Sequence, residues 1–219
     1  CIVKIHSFQK QRNRNYLGTS YFINGCIIKI EMLITNFHPL PILQTLRLRL
    51  QQLEEKDADR LFMMRSNKEI MKYICRPMAK NVDDALQLIE AIKGSIEKNE
   101  CANWGIFLKE NNLLIGSIGF VRLKKEHYRG EIGYLLDTAF HQNGFMSEAL
   151  EVVLQYGFSE VKFHSVEAII EPENIASANL LKKHGFTQEA LFKEDYYFEG
   201  KFLNTAVYSL LEADHFYRH

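Results

Sequence analysis

One stretch, EIGYLLDTAFHQNGFMSEAL from Glu131 to Leu150, constrains this chain more than any other. Its hydrophobic period changes midway. Glu131 to Asp137 reads as a strand, and a short loop follows. From about Gly144 the residues Met146, Ala149, Leu150, Val153, Leu154, Gly157 and Phe158 fall on one helical stripe. The first N–H groups of a helix have no partners, and the local dipole there is positive. Such a terminus suits a pyrophosphate if the backbone can come close. Gly144 permits that approach, and Ser147 adds a hydroxyl one turn in. Gln142, Asn143, Gly144, Phe145, Met146 and Ser147 are therefore candidate phosphate-facing residues. An ordinary strand–loop–helix connection reads the same way. No Gly-Lys-Ser/Thr follows, so this is not a Walker loop, and one glycine does not make a dinucleotide fingerprint.

The rest of the chain supplies elements around that turn. Leu46, Leu48 and Leu50 alternate with Arg47, Arg49 and Gln51 as in a half-buried strand. Helical character runs from Glu54 to about Ser66. Asn81 reads as the N-cap of an amphipathic helix carrying Val82, Ala85, Leu86, Ile89, Ile92 and Ile96. Ala102–Lys109 and Leu113–Leu123, joined across Asn111-Asn112, read as an antiparallel hairpin. Ser165–Ile170 is a strand, and Asn174–His184 a short helix ended by Gly185. Two final strands are expected near Tyr196–Glu199 and Thr205–Leu211. The order predicts one mixed α/β domain, mostly antiparallel, with helices on both faces of a central sheet.

The opening is different. Ile2 to Arg14 is basic and without period. Tyr21–Ile23, Asn24-Gly25 and Cys26–Ile28 read as a hairpin. An equal reading makes Met32 the first residue and 1–31 a dispensable extension, with the domain at 32–219.

Composition narrows the partners. Hydrophobic residues at 47% can fill a core. Lys plus Arg and Asp plus Glu are both 27, which argues against nucleic acid as the primary ligand. Cys1, Cys26, Cys75 and Cys101 are scattered, as expected of reduced thiols in the cytoplasm. No apolar run reaches the ~18 residues of a membrane span, and no signal peptide is expected. The eight histidines include no HExxH frame, so no metal is expected; His215 and His219, four apart, lack a third ligand nearby.

Two motifs carry a resemblance. Glu131-Ile132-Gly133-Tyr134, Gly144-Phe145-Met146 and Ser147-Glu148-Ala149-Leu150 resemble the acetyl-CoA-binding region of GNAT N-acetyltransferases. The similarity is greatest to the branch related to ribosomal-protein N-terminal acetyltransferases. EPENIASANLLKKHGF, Glu171 to Phe186, resembles a second segment of that family through Asn174, Ser177, Gly185 and Phe186. Thr45 to Leu50 resembles its opening strand, and Tyr196 through Gly200 to Tyr208 its closing ones. The likeness covers about Leu43 to Leu211.

The resemblance implies a GNAT-like fold and acetyl-CoA as co-substrate. It implies that the strands Glu131–Asp137 and Ser165–Ile170 splay apart to receive the pantetheine. The backbone of Leu135, Leu136 and Asp137, the turn Gln142–Ser147 and Asn174 would hold the cofactor. Glu131 would act as base, or else be an exposed strand carboxylate. Ser177 would assist the thiolate, or else be a helix-surface hydroxyl. His141, Gln142, Asn143 and Met146 depart from the common motif. Leu181 replaces the tyrosine that is general acid in many relatives. Tyr196 and Tyr197 fit core packing better than an acceptor pocket, and Glu194 and Asp195 a solvated turn better than an amine site. Three functions are compatible: acetylation of a protein N-terminus, acetylation of a small amine such as a polyamine, amino acid or aminoglycoside, and CoA binding without catalysis. The chain could work alone or as an oligomer.

Overall fold

A computed structural model describes residues 16–23 and 26–217, with side chains from Met32 onward. The expected hairpin is there as β1 (Tyr16–Ile23) and β2 (Cys26–Leu33), a separate two-stranded sheet with Ile23 opposite Cys26. Its turn residues, Asn24 and Gly25, lie outside the described residues, as do Cys1, Ile2–Arg14 and His219. β2 crosses the boundary drawn at Met32, and the buried Leu33, Phe37 and Leu40 that follow join the main core.

After β3 (Leu43–Gln44) and β4 (Leu48–Gln51) come the helices α1 (Ala58–Arg65), α2 (Lys68–Met71) and α3 (Val82–Glu97). Next are β5 (Ala102–Leu108), β6 (Leu114–Lys124), β7 (Arg129–Leu136), α4 (Phe145–Tyr156), β8 (Ser165–Ile170) and α5 (Ile175–Lys183). β9 (Thr187–Phe198), β10 (Lys201–Leu211) and α6 (Glu212–Phe216) end the described chain. The eight-stranded sheet has the order β3-β4-β5-β6-β7-β8-β10-β9. Every neighbouring pair is antiparallel except β7 with β8, which are parallel.

Two clusters hold helices to opposite faces. Ala149, Leu150, Val153 and Leu154 of α4, with Ala178 and Leu181 of α5, pack on Ile118, Phe120 and Val166. Leu61 and Met64 of α1, with Ala85 and Ile89 of α3, pack on Phe107 and Leu114. The helix ends are specified locally. Asn81 Oδ1 accepts the Asp84 N–H at 3.0 Å, and the Asp84 carboxylate accepts the Lys80 N–H at 2.7 Å. At the end of α5 the Gly185 N–H reaches the Lys182 carbonyl and the Phe186 N–H the Leu181 carbonyl, both at 3.0 Å. Gly185 has φ +86°, so this is the Schellman closure its glycine predicts.

Three expectations need correction. The leucine alternation starts the strand too early: the Thr45 backbone and hydroxyl both bond to Leu48, and the resulting turn leaves Leu46 89% exposed. β9 is three times the expected length, starting at Thr187 rather than near Tyr196. It is an edge strand, exposed on both faces along most of its course, so its first half carries no alternation. For the same reason Tyr196 and Tyr197 are exposed rather than in the core. The β9–β10 hairpin continues past Ala206, the partner of the last β8 residue, Ile170, so nothing in the sheet covers its tip.

Candidate active site

The parallel pairing of β7 and β8 is short. Arg129 lies opposite Ser165, Gly130 opposite Val166 and Glu131 opposite Glu167, and there it stops. β7 runs on to Leu136 against β6, and β8 to Ile170 against β10. Each strand is thus held on its outer edge while the inner edges separate. The backbone groups of residues 132–136 and 168–170 along that opening have no ladder partner across it. An extended chain bearing amides can pair there as a short extra strand would.

The opening leads to the α4 terminus. Asp137 follows β7, bonded to Arg60 of α1 and accepting the Ala139 N–H at 3.0 Å. His141 Nε2 contacts the Leu136 carbonyl at 3.0 Å, and the Asn143 amide donates to the His141 carbonyl at 2.9 Å. Gln142 and Gly144 both have positive φ, +61° and +78°. The first helical bond runs from the Glu148 N–H to the Gly144 carbonyl at 3.0 Å. Among the described residues no side chain caps the terminus, so the Phe145, Met146 and Ser147 N–H groups face outward. The Met146 side chain is buried, and Leu136 packs on the same cluster. Leu135 packs on the opposite one. To a polar ligand group these three residues offer their backbone.

Residues distant in sequence complete this turn. The Arg47 guanidinium lies 4.3 Å from the Phe145 ring centroid, bonds Glu148 at 2.7 Å and donates to the Asn143 carbonyl at 3.0 Å. The Thr45 hydroxyl also bonds Glu148. Burial pushes the Glu148 carboxyl up, but Thr45 and Arg47 outweigh it and hold the group below its ordinary range. The Ser147 hydroxyl is engaged by His184 at 2.8 Å, and His184 in turn by Glu151 at 3.0 Å.

On the other side of the opening, Asn174 caps α5 by accepting the Ser177 N–H at 3.1 Å. The Tyr134 hydroxyl faces Ser177. It is closed to solvent and makes no hydrogen bond of good geometry among the described residues. Burial pushes it up to about 12. Leu181 is fully buried and offers no acid.

Glu131 sits where the strands part. Its side chain is 15% exposed, and it accepts from Arg122 at 2.9 Å. Burial pushes its carboxyl above the ordinary range, although Arg122 pulls the other way. Glu167, its partner across the pairing, is held by Arg129 at 2.8 Å and Lys124 at 2.5 Å. Burial would raise Glu167 too, but these two cations overcome it. Glu131 thus stands where the strands part, Ser177 faces Tyr134 of β7, Asn174 caps the helix that carries Ser177, and Gln142–Ser147 form the turn into α4. Glu194 and Asp195 bond to Asn204 and Thr205 within the β9–β10 hairpin. Sequence reasoning missed Arg47, Glu148, His184 and Glu151 as partners of the turn. Only the Thr45–Leu50 and Asn174–Phe186 likenesses could have pointed to them. Among the described residues no group of three or more His, Cys, Asp or Glu could hold a metal, and no helix is long and apolar enough to cross a membrane.

The sequence matches the acetyltransferase (GNAT) domain over residues 47–187. It is 34% identical to the Bacillus subtilis protein described as uncharacterized N-acetyltransferase YoaA, over 78% of this chain and 97% of that one. The fold is similar to that of RimL, the ribosomal L7/L12 α-N-protein acetyltransferase in complex with coenzyme A. That match has a TM-score of 0.72 and 19% identity, over 78% of this chain and 98% of the other. It is also similar to spermidine N-acetyltransferase from Vibrio cholerae in complex with CoA and spermine, with a TM-score of 0.69 and 20% identity. There 78% of this chain and 99% of the other are covered.

Proposed function

This chain belongs to the GNAT family of acetyltransferases and is an acetyl-CoA-dependent enzyme, and on that premise we propose that it acetylates the α-amine of a protein N-terminus at the opening between β7 and β8. The observation that carries the reading is the end of pairing at Glu131 and Glu167, which leaves amide-binding edges leading to the uncapped start of α4.

In this reading the pyrophosphate of acetyl-CoA lies against the Phe145, Met146 and Ser147 N–H groups, with Gly144 and the backbone of Gln142 and Asn143 beside it. Asn174 borders the pantetheine, which pairs along Leu135–Asp137. The thioester oxygen receives a backbone N–H near Leu135. The amine nitrogen attacks the thioester carbon, forming the N–C bond. Its proton goes to Glu131, directly or through a water, as the C–S bond breaks. Ser177 donates a hydrogen bond to the departing thiolate. An α-amine with a pKa near ~8 needs only a modest base, and the raised carboxyl of Glu131 suits that task.

The two structural neighbours act on different acceptors, a ribosomal protein and spermidine. Charge pairing supports the first kind here. Glu131 is bonded to Arg122, and Glu167 to Lys124 and Arg129. A polycation gains most from unpaired carboxylates, and these two are already matched by three cations. A singly charged α-amine needs only Glu131.

Acetyl-CoA-dependent thiol release should be measured across N-terminal peptides, polyamines, amino acids and aminoglycosides. Peptides are expected to lead in kcat/KM by at least about tenfold, roughly 1.4 kcal/mol in transition-state binding. Preferential turnover of a small amine overturns the acceptor assignment. CoA binding without turnover of any acceptor favours the non-catalytic reading.

A further inference from the structure

Ser147, His184 and Glu151 form a chain of contacts that the reaction above does not use. Ser147 and Glu151 lie one turn apart on α4, and His184 is the C-cap of α5. Ser147 Oγ is 2.8 Å from His184 Nε2, and His184 Nδ1 is 3.0 Å from Glu151 Oε2. The imidazole is only 8% exposed, whereas Glu151 is 41% exposed. Glu151 also lies 3.8 Å from His215 of α6, and Lys182 and Lys183 precede His184 on α5. A histidine at a helix C-terminus can be there for the helix dipole alone. That role would not require a bond to a hydroxyl on the opposite helix.

The order of contacts is that of an activated serine. The serine, however, lies in the first turn of α4, at the phosphate end of the reading above and not at the thioester. What the arrangement controls there is a hydrogen. An ionised carboxylate only accepts, so Glu151 fixes the hydrogen of a neutral His184 on Nδ1. Nε2 is then an acceptor and takes the single hydrogen of the Ser147 hydroxyl. A protonated imidazole donates from both nitrogens. Ser147 Oγ then accepts from Nε2, and its own hydrogen is free to turn outward.

We propose that His184 is a positioning residue for the cofactor's phosphate end, oriented by Glu151, whose protonation releases the Ser147 hydroxyl to donate to a phosphate oxygen. This rests on the reading that the start of α4 receives the pyrophosphate. The sign follows from the donor count and from charge. The protonated form offers one more hydrogen bond and a nearby positive charge, so CoA binds it more tightly. Affinity is highest in acid and falls as pH rises and the imidazole loses its proton. Ionisation of the CoA phosphates is common to all variants and cancels in their comparison.

The test is calorimetric titration of CoA into the full chain, His184→Leu and Ser147→Ala, between about pH 5.5 and 8.5. The ratio of affinities between the two ends should be about fivefold larger in the wild type than in either variant. Repeating the titration near neutrality in buffers of different ionisation enthalpy should show proton uptake on binding by the wild type and little by the variants. Equal ratios and equal proton uptake in all three chains overturn the proposal. Should one variant fail to fold, the other gives the same comparison. A wild type that binds no CoA at any pH refutes instead the assignment of α4 on which the proposal stands.

Discussion

Glu131 shows how much of a residue's chemistry its neighbours decide. The sequence offers a strand carboxylate two positions from a glycine. Burial then raises its pKa against the pull of Arg122. A raised carboxyl pKa means that the folded state disfavours the charged form. The stabilising difference is full below the unfolded-state pKa and is lost as pH rises through the folded one. Glu131→Gln should therefore melt higher than wild type at neutral pH, with the gap closing in acid. As base, Glu131 should contribute on the order of 10²-fold. The same variant should lose several tenfold in kcat, keep its acetyl-CoA affinity, and recover partly at high pH as the acceptor amine deprotonates unaided. Wild-type turnover in Glu131→Gln between about pH 6 and 9, around the reference amine pKa, would falsify the base assignment. Ser177→Ala should lower kcat without any recovery at high pH.

The decisive element is the turn into α4. Gly144 caps the helix with φ +78°, and a Cβ added there would lie 3.5 Å from the Arg47 guanidinium. Space is therefore adequate, and conformation is the constraint. An L-residue in the left-handed region costs roughly 1–2 kcal/mol. Valine would add β-branched crowding to that strain, so Gly144→Ala is the cleaner probe. It should lower stability by about that amount in denaturant unfolding. CoA affinity should fall at least tenfold, about 1.4 kcal/mol, because a methyl group then stands where the backbone meets the phosphates. Unchanged CoA affinity in the folded alanine variant removes the pyrophosphate from this turn. The turn was legible in the sequence as a strand, a glycine and an apolar stripe. Its braces were not: Thr45 and Arg47 reach Glu148 across more than a hundred residues, and no local pattern records such a contact.

At the scale of the whole chain, the question is what the β1–β2 hairpin contributes. It forms its own sheet, and β2 lies beside the turn at Lys125–His127. The first described residues of the main core, Leu33 and Phe37, follow Met32 directly. A chain beginning at Met32 keeps both, together with the eight-stranded sheet. It should express as a soluble protein, melt within a few degrees of the full chain and bind CoA equally. A shift of about 4 °C would correspond to only about 1–2 kcal/mol for a domain of this size. Insolubility or lost CoA binding would make residues 1–31 part of the domain.

The sequence by itself determined the order of the main elements from β4 to β10 and the ends of α3 and α5. Apolar period, the Asn81 and Asn174 caps and the glycine at 185 act within a few residues, and each produced the helix boundary it predicts. It also determined the family, because two motifs stand in order at the right spacing. Tertiary structure decided everything that depends on separation in space. It set where β7 and β8 stop pairing, which carboxylates are neutralised, and that the Ser147 hydroxyl is held by a histidine from another helix. It also put Tyr196 and Tyr197 in solvent, since only the sheet order makes β9 an edge. The physical reason is range. Backbone torsions and caps are local, whereas burial and charge pairing are fixed only when distant segments share a face.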